Sequence, residues 1–191
     1  MSEITEEITD ESIAIKVQKG ESQAFGLLVE RYEPKLMRYA RRFLIENEDA
    51  KDLIQDIFIK TYTNLKGFDT KRSFSSWIYR IAHNEFINAI KKKKTEPILF
   101  FDPDEFFPHP IAKERPDQEI DAKQLHEIME KSLNLLDAKY REPLVLYYYE
   151  DLDYKQISEV MRIPISTVGV RIRRAKDALQ KTYTKSNNEP L

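Results

Sequence analysis

The sequence predicts an all-α protein with two small helical domains joined by an acidic, proline-rich linker, the second domain containing a helix-turn-helix. Three observations predict it. Apolar residues recur at three- and four-residue spacing through residues 25–94 and again from residue 121 onward, the period of a helix with one buried face. Five of the nine prolines fall in residues 95–121, where no helical period is visible. Residues 153–181, DYKQISEVMRIPISTVGVRIRRAKDALQK, fit two short helices around a tight turn. The resulting boundaries are an N-terminal tail at 1–23, a first domain at 24–94, a linker at 95–120 and a second domain at 121–185.

Taken in order, residues 12–19 read as a short helix. AFGLLVERYEPKLMRYARRFL then carries Phe25, Leu28, Val29 and Tyr32 on one face and Leu36, Tyr39, Ala40 and Phe43 beyond. Pro34 lies between and is expected to kink or split the helix, because it lacks an N–H and clashes with the preceding turn. Asn47 or Asp49 can cap the next helix, whose buried face is Leu53, Ile54, Ile57, Phe58 and Thr61. Asp52, Gln55, Asp56 and Ile59 are left pointing outward. Gly67-Phe68-Asp69-Thr70 breaks the pattern, and helix resumes by Ser75.

The stretch KRSFSSWIYRIAHNEFINAIKKKK interleaves Phe74, Trp77, Tyr79 and Phe86 with Lys71, Arg72, Arg80 and Lys91 to Lys94. Such aromatics serve either as helix core or as platforms on which single-stranded bases stack while cations meet phosphates. The sequence leaves both open. The acidic, aromatic run LFFDPDEFFPHP reads as a linker, or as chain lying along a partner's groove. Helix returns near Asp121 with Leu125, Ile128, Met129, Ser132 and Leu136 on its face. Asp137 can cap the following helix, and REPLVLYYYE is apolar nearly all round, as suits the centre of a small bundle.

In the helix-turn-helix, Asp153 and Gln156 have the spacing of a capping box. Ile157, Val160 and Met161 share a face, and Pro164 ends the helix. Ser166 or Thr167 can cap the second helix, along which Val168, Ile172, Ala175 and Leu179 form the apolar stripe. Ser166, Val170, Arg173, Arg174 and Asp177 lie opposite, with Arg171 on the flank. A buried stripe backed by an Arg-bearing outer face of small residues suits the major groove of DNA.

Charge is unevenly placed. The net charge of −2 conceals seven bases against one acid in residues 71–94, eight acids against two bases in 95–121, and eight bases against two acids in 155–185. Each basic segment suits a phosphate backbone. With no Cys there is no thiolate site. The three histidines lack metal spacing, and four scattered glycines form no phosphate loop. No catalytic constellation is legible, so the sequence reads as a binding protein that needs no cofactor or metal. No apolar run is long enough to cross a bilayer, and the acidic start is unlike a secretory signal, so a cytoplasmic location is expected.

Three stretches together resemble one family. DAKDLIQDIFIKTY, SFSSWIYRIAHNEFINAIKKK and residues 137–176 resemble, in order, the polymerase-clamp helix, the melted-promoter helix and the promoter-binding C-terminal domain of bacterial extracytoplasmic-function (ECF) sigma factors of the sigma-70 family. The resemblance implies core RNA polymerase, promoter DNA and an anti-sigma factor as partners, with no membrane insertion. It implies that Asp52, Gln55 and Asp56 face polymerase. Residues 68–76 would pocket a flipped base, and Arg72, Phe74, Trp77, Arg80, Asn84 and Lys91 would meet the melted element. Ser166, Thr167, Val170, Arg171 and Arg174 would meet the upstream element. The acidic linker would run through the RNA exit path. Departures from the pattern are Gly169-Val170 for Lys-Ser, Arg162 for Gly, Asn88 for Asp and His83 for Arg, and each touches sequence choice. The alternative is a conventional helix-turn-helix regulator that binds duplex DNA without polymerase.

Overall fold

The computed structural model describes residues 8–44, 50–93 and 132–187. Among them the helices are α1 (Asp10–Gln18), α2 (Phe25–Leu44), α3 (Ala50–Asn64), α4 (Phe74–Lys93), α5 (Ala138–Tyr148), α6 (Tyr154–Met161) and α7 (Ile165–Asn187), with short 3-10 turns at Ser22–Ala24, Leu65–Gly67 and Leu133–Leu135. No strand occurs among the described residues. Two compact units result. α1, α2 as far as Arg41, α3 and α4 form the first, and α5 to α7 the second. The expected caps Asn47 and Asp49, the linker, and the helix from Asp121 with Leu125, Ile128 and Met129 lie outside the described residues. Ser132 and Leu136, from that helix's expected face, are buried.

In the first unit, α1 starts two residues earlier than its pattern suggested, because Thr9 caps it. The Thr9 Oγ1 accepts the Ser12 N–H at 3.2 Å, and Asp10 and Glu11 sit in the first turn, where the helix dipole favours acids. α2 buries Leu28, Tyr32, Leu36, Tyr39 and Ala40 as its stripe predicts. Pro34 does not split it, since α2 is one helix from Phe25 to Leu44. Pro34 and Glu30 are both exposed, so water can take up the Glu30 carbonyl that loses its N–H partner.

α3 buries Ile54, Ile57, Phe58 and Thr61, with Leu53 half-buried. Thr61 is tolerated inside because its hydroxyl donates to the Ile57 carbonyl at 2.7 Å. α4 buries Phe74, Ile78, Tyr79, Ala82 and Phe86. Their rings meet α2 edge to face, Tyr32 against Phe74 at 5.4 Å and Tyr39 against Phe86 at 4.9 Å between centroids. A Lys60–Glu85 ion pair of 2.6 Å joins α3 to α4.

α1 closes this unit with Ile13 and Ala14 fully buried. Its Asp10 carboxylate accepts from Arg31 Nη1 at 2.7 Å and from the Tyr32 hydroxyl at 2.6 Å. Burial, and then the bond to Asp10 and its charge, push the Tyr32 phenol well above its ordinary pKa.

The second unit centres on α5, whose residues Arg141, Glu142, Pro143, Leu144, Val145 and Leu146 are all buried. Asp137 does precede the helix, but its side chain makes no cap bond. Its backbone carbonyl instead receives the N–H groups of Tyr140 and Arg141. Desolvation pulls the Arg141 pKa down, opposed by Asp137 and Glu142, and its Nη1 donates to the Leu136 carbonyl at 3.4 Å.

Candidate nucleic-acid interface

Three surfaces carry the residues that the sequence singled out. The first is the outer face of α3, where Asp52, Gln55 and Asp56 are all exposed. Asp52 and Gln55 line a cleft of about 600 Å³ between α2 and α3, together with Phe25, Val29, Met37, Phe58 and Tyr62. Phe25 meets Tyr62 edge to face at 5.1 Å. Ile59 and Tyr62 are 56% and 46% exposed, so this polar face has an apolar margin. The outward position of Ile59 was legible from the helical period. The share of Phe25, Met37 and Tyr62 in the cleft was not, because it depends on how two helices pack.

The second surface is on α4 and the loop before it. Trp77, Arg80, Asn84 and Lys91 follow one another at three, four and seven residues, so they line one stripe opposite the buried Ile78, Ala82 and Phe86. Asn84 and Lys91 are exposed, and Trp77 and Arg80 half-buried. The Trp77 indole stacks on Phe68 at 4.8 Å and 30°, and stays partly exposed beside the loop. Asp69 shapes that loop. Its Oδ1 accepts the Lys71 N–H and its carbonyl the Arg72 N–H, both at 3.0 Å, and this turn holds Lys71 and Arg72 in solvent.

Phe74 is a correction. It is 0% exposed, packed edge to face on Phe68 and Tyr32, so it cannot meet a base unless the core opens. It packs behind Phe68, itself buried, and the half-buried Trp77. The sequence left open whether these aromatics were core or platform, and the structure divides them: Phe74, Tyr79 and Phe86 are core, and Trp77 sits at the boundary.

The third surface is the helix-turn-helix of α6 and α7. The capping box forms in full, with Gln156 N–H to Asp153 Oδ1 at 2.7 Å and Asp153 N–H to Gln156 Oε1 at 2.9 Å. Arg162 ends α6 at φ 55°, ψ 44°, the left-handed conformation that usually calls for glycine. The Ser158 hydroxyl, which donates to the Ile163 carbonyl at 2.6 Å, bridges the turn. Neither Ser166 nor Thr167 caps α7, since the helix starts at Ile165 and the Pro164 carbonyl already receives the Val168 N–H at 3.1 Å.

Val168, Ile172, Ala175 and Leu179 are buried as the stripe predicts. The buried arc is wider than that stripe, because α7 packs against both α5 and α6. It takes in Thr167, 3% exposed, and Arg171, 7% exposed. Neither side chain lies on the outer face, and this corrects their expected contact with DNA. Arg173 is exposed, and Ser166, Val170 and Arg174 are half-buried on the outward side. Gly169 lies beside them, and a Cβ there would meet only the Tyr154 ring, at an ordinary 3.5 Å. Among the described residues no cluster of His, Asp and Glu could hold a metal ion, and no helix is long and apolar enough to cross a membrane.

Comparison with known proteins accounts for both units. The family model for Sigma-70 region 2 matches residues 28–96, and that for Sigma-70, region 4 matches residues 126–179. The ECF RNA polymerase sigma factor SigW of Bacillus subtilis is 32% identical over 180 residues, covering 87% of this chain and 92% of the relative. The ECF RNA polymerase sigma-E factor of Escherichia coli K12 is 30% identical over 182 residues, covering 92% and 95%. Among solved structures, CnrH in complex with the cytosolic domain of CnrY is similar at a TM-score of 0.69 and 25% identity, over 92% of this chain and 97% of that one. The sigma factor RpoE of Bartonella quintana, in complex with the anti-sigma factor NepR, is similar at 0.62 and 25%, over 84% and 96%. The chain belongs to the sigma-70 family of RNA polymerase sigma factors, within its ECF group.

Proposed function

We propose that the chain binds core RNA polymerase through the α3 face, reads the upstream promoter element with α7, and holds the melted downstream element on α4. A sigma factor of this family is an initiation factor and not an enzyme, and its work with polymerase is cytoplasmic. The observation that carries this assignment is the stripe of Trp77, Arg80, Asn84 and Lys91 on α4. An aromatic ring at one end, cations along the length and a side-chain amide between them suit an unpaired strand, whose bases stack while its phosphates meet charge. Duplex binding alone would not require such a surface on a domain separate from the helix-turn-helix.

On this assignment Asp52, Gln55 and Asp56 meet polymerase, with Ile59 and Tyr62 adding apolar contact at the cleft. Arg72, Trp77, Arg80, Asn84 and Lys91 meet the melted strand, and Phe74 supports them from the core. Ser166, Val170, Arg173 and Arg174 face the upstream element. An anti-sigma factor is the expected regulator.

The test is transcription. Core RNA polymerase mixed with the purified chain should yield transcripts that begin at defined promoters and are absent from core alone. Asp52→Ala with Gln55→Ala should abolish them by weakening polymerase affinity, with helix content unchanged. A promoter footprint from the free chain with no polymerase-dependent transcript would overturn the assignment in favour of a conventional regulator.

A further inference from the structure

The region 2 family model begins at residue 28, so α1 lies outside the matched span. Yet three of its side chains reach across the first unit. Asp10 binds Arg31 and Tyr32 on α2. The other two converge on the loop between α3 and α4. Gln18 Nε2 donates to the Leu65 carbonyl at 2.9 Å and to the Phe68 carbonyl at 2.8 Å, where the chain enters the loop. Glu11 Oε1 accepts the Phe74 N–H at 2.8 Å, where the chain leaves it.

The contacts of Glu11 and Gln18 each take up backbone groups with a particular need. Phe74 is the first residue of α4, and its N–H is one of the four that no helical carbonyl can satisfy. Ser73 Oγ accepts the Ser76 N–H at 3.2 Å, so the start of α4 has one local cap and one supplied by Glu11 from 63 positions away. A carboxylate there also meets the positive end of the helix dipole. At the other end, one amide group spans two carbonyls three residues apart, which fixes the exit from the 3-10 turn Leu65–Gly67. The stacked pair of Phe68 and Trp77 therefore hangs from two points pinned to the same helix.

We infer that α1 is a clamp on this loop, and that Glu11 and Gln18 are positioning residues for capture of an unpaired promoter base. They touch no nucleic acid. They set the separation between the Phe68 and Phe74 ends of the loop, and with it the opening beside Trp77. This rests on the assignment of loop 68–76 and α4 to the melted strand. A pocket for a single base must be rigid before the base arrives, because each degree of freedom frozen on binding weakens capture.

The experiment uses full-length chain in complex with core polymerase. The probe is a single-stranded oligonucleotide of the non-template strand from a promoter recovered in the transcription test, with an abasic site scanned through it. Unmutated protein should bind one position about tenfold more tightly with its base than without. Gln18→Glu, which sets a carboxylate against two carbonyls, and Glu11→Ala should reduce that ratio towards one. Glu11→Gln should restore it, because the amide oxygen can still accept from Phe74. Partial unfolding would weaken intact and abasic probes equally and leave the ratio unmoved. Should Gln18→Glu fail to fold, Gln18→Ala deletes both donors without adding charge. A full ratio in the unmutated protein that survives in these variants overturns the clamp alone. Absence of any base preference in the unmutated protein overturns the melted-strand assignment, and the clamp with it.

Discussion

The Ser158 hydroxyl donates to the Ile163 carbonyl at 2.6 Å across the turn between α6 and α7, while the Ile163 N–H returns to the Ser158 carbonyl at 3.3 Å. One residue thus holds both polar groups of the residue that leaves the turn. Ile163 is buried, so its carbonyl would be costly to leave without a partner. Ser158→Ala should lower the stability of the second unit by about 1 kcal/mol. Faster amide exchange at Ile163, with helix content intact, checks that the loss arises in the turn.

Arg162 sits in that same turn at φ 55°. A left-handed conformation costs an L-residue about 1–2 kcal/mol, whereas glycine takes it freely and gives back about 0.5–1 kcal/mol in chain entropy. Arg162→Gly should therefore stabilise the second unit by up to about 1 kcal/mol. Denaturant unfolding of the two proteins side by side measures it, and a net loss would show that the Arg162 side chain contributes more than its backbone costs.

Tyr32 makes the first unit sensitive to alkali. Its folded pKa is raised above the ordinary value of about 10, first by burial and then by Asp10. As pH rises through that value the unfolded chain gives up the proton and the folded chain keeps it. The stabilisation is present below about pH 10 and declines as pH rises beyond. Tyr32→Phe should flatten this decline and cost about 1.5–3 kcal/mol at neutral pH through the lost bond to a charged acceptor. Trp77 is the single tryptophan and belongs to the first unit, so its fluorescence follows this unit alone.

Phe74 and Trp77 should part company on mutation. Phe74→Ala removes a fully buried ring and should cost the first unit about 3–5 kcal/mol. Trp77→Ala removes a half-exposed one and should cost less, while promoter opening suffers more. Thermal melting followed by dichroism, beside permanganate reactivity of the promoter, separates the two.

The three arginines of α7 should behave differently. Arg173→Ala and Arg174→Ala should each reduce the salt slope of promoter binding by the holoenzyme by about one if they meet phosphates. Arg171→Ala should leave the slope unchanged and instead lower the melting temperature of the second unit, because its side chain lies within the buried arc. Titrations at several salt concentrations distinguish these outcomes.

How much was legible in the sequence followed from the range of each interaction. The Asp153–Gln156 capping box and the buried faces of α3 and α7 depend on residues three or four apart, and they stand where the pattern put them. Thr167 and Arg171 were misplaced because the width of a buried arc depends on how many helices pack against it. Ser166 or Thr167 was expected to cap α7, but a carbonyl, which every residue has, began the helix two or three residues earlier. Phe74 could not be told from Trp77 until the first was seen packed between Tyr32 of α2 and Phe68, fully buried, and the second only half-buried. The reach of Glu11 to Phe74 leaves no periodic trace at all.

Gly169 has one further consequence. Its absent Cβ serves no turn and relieves no clash, since the Tyr154 ring lies at ordinary contact distance from where the atom would be. An alanine can therefore stand there without repacking α6 against α7. On the assignment proposed for α7, the residue at 169 is then set by the DNA it lies beside and not by the fold.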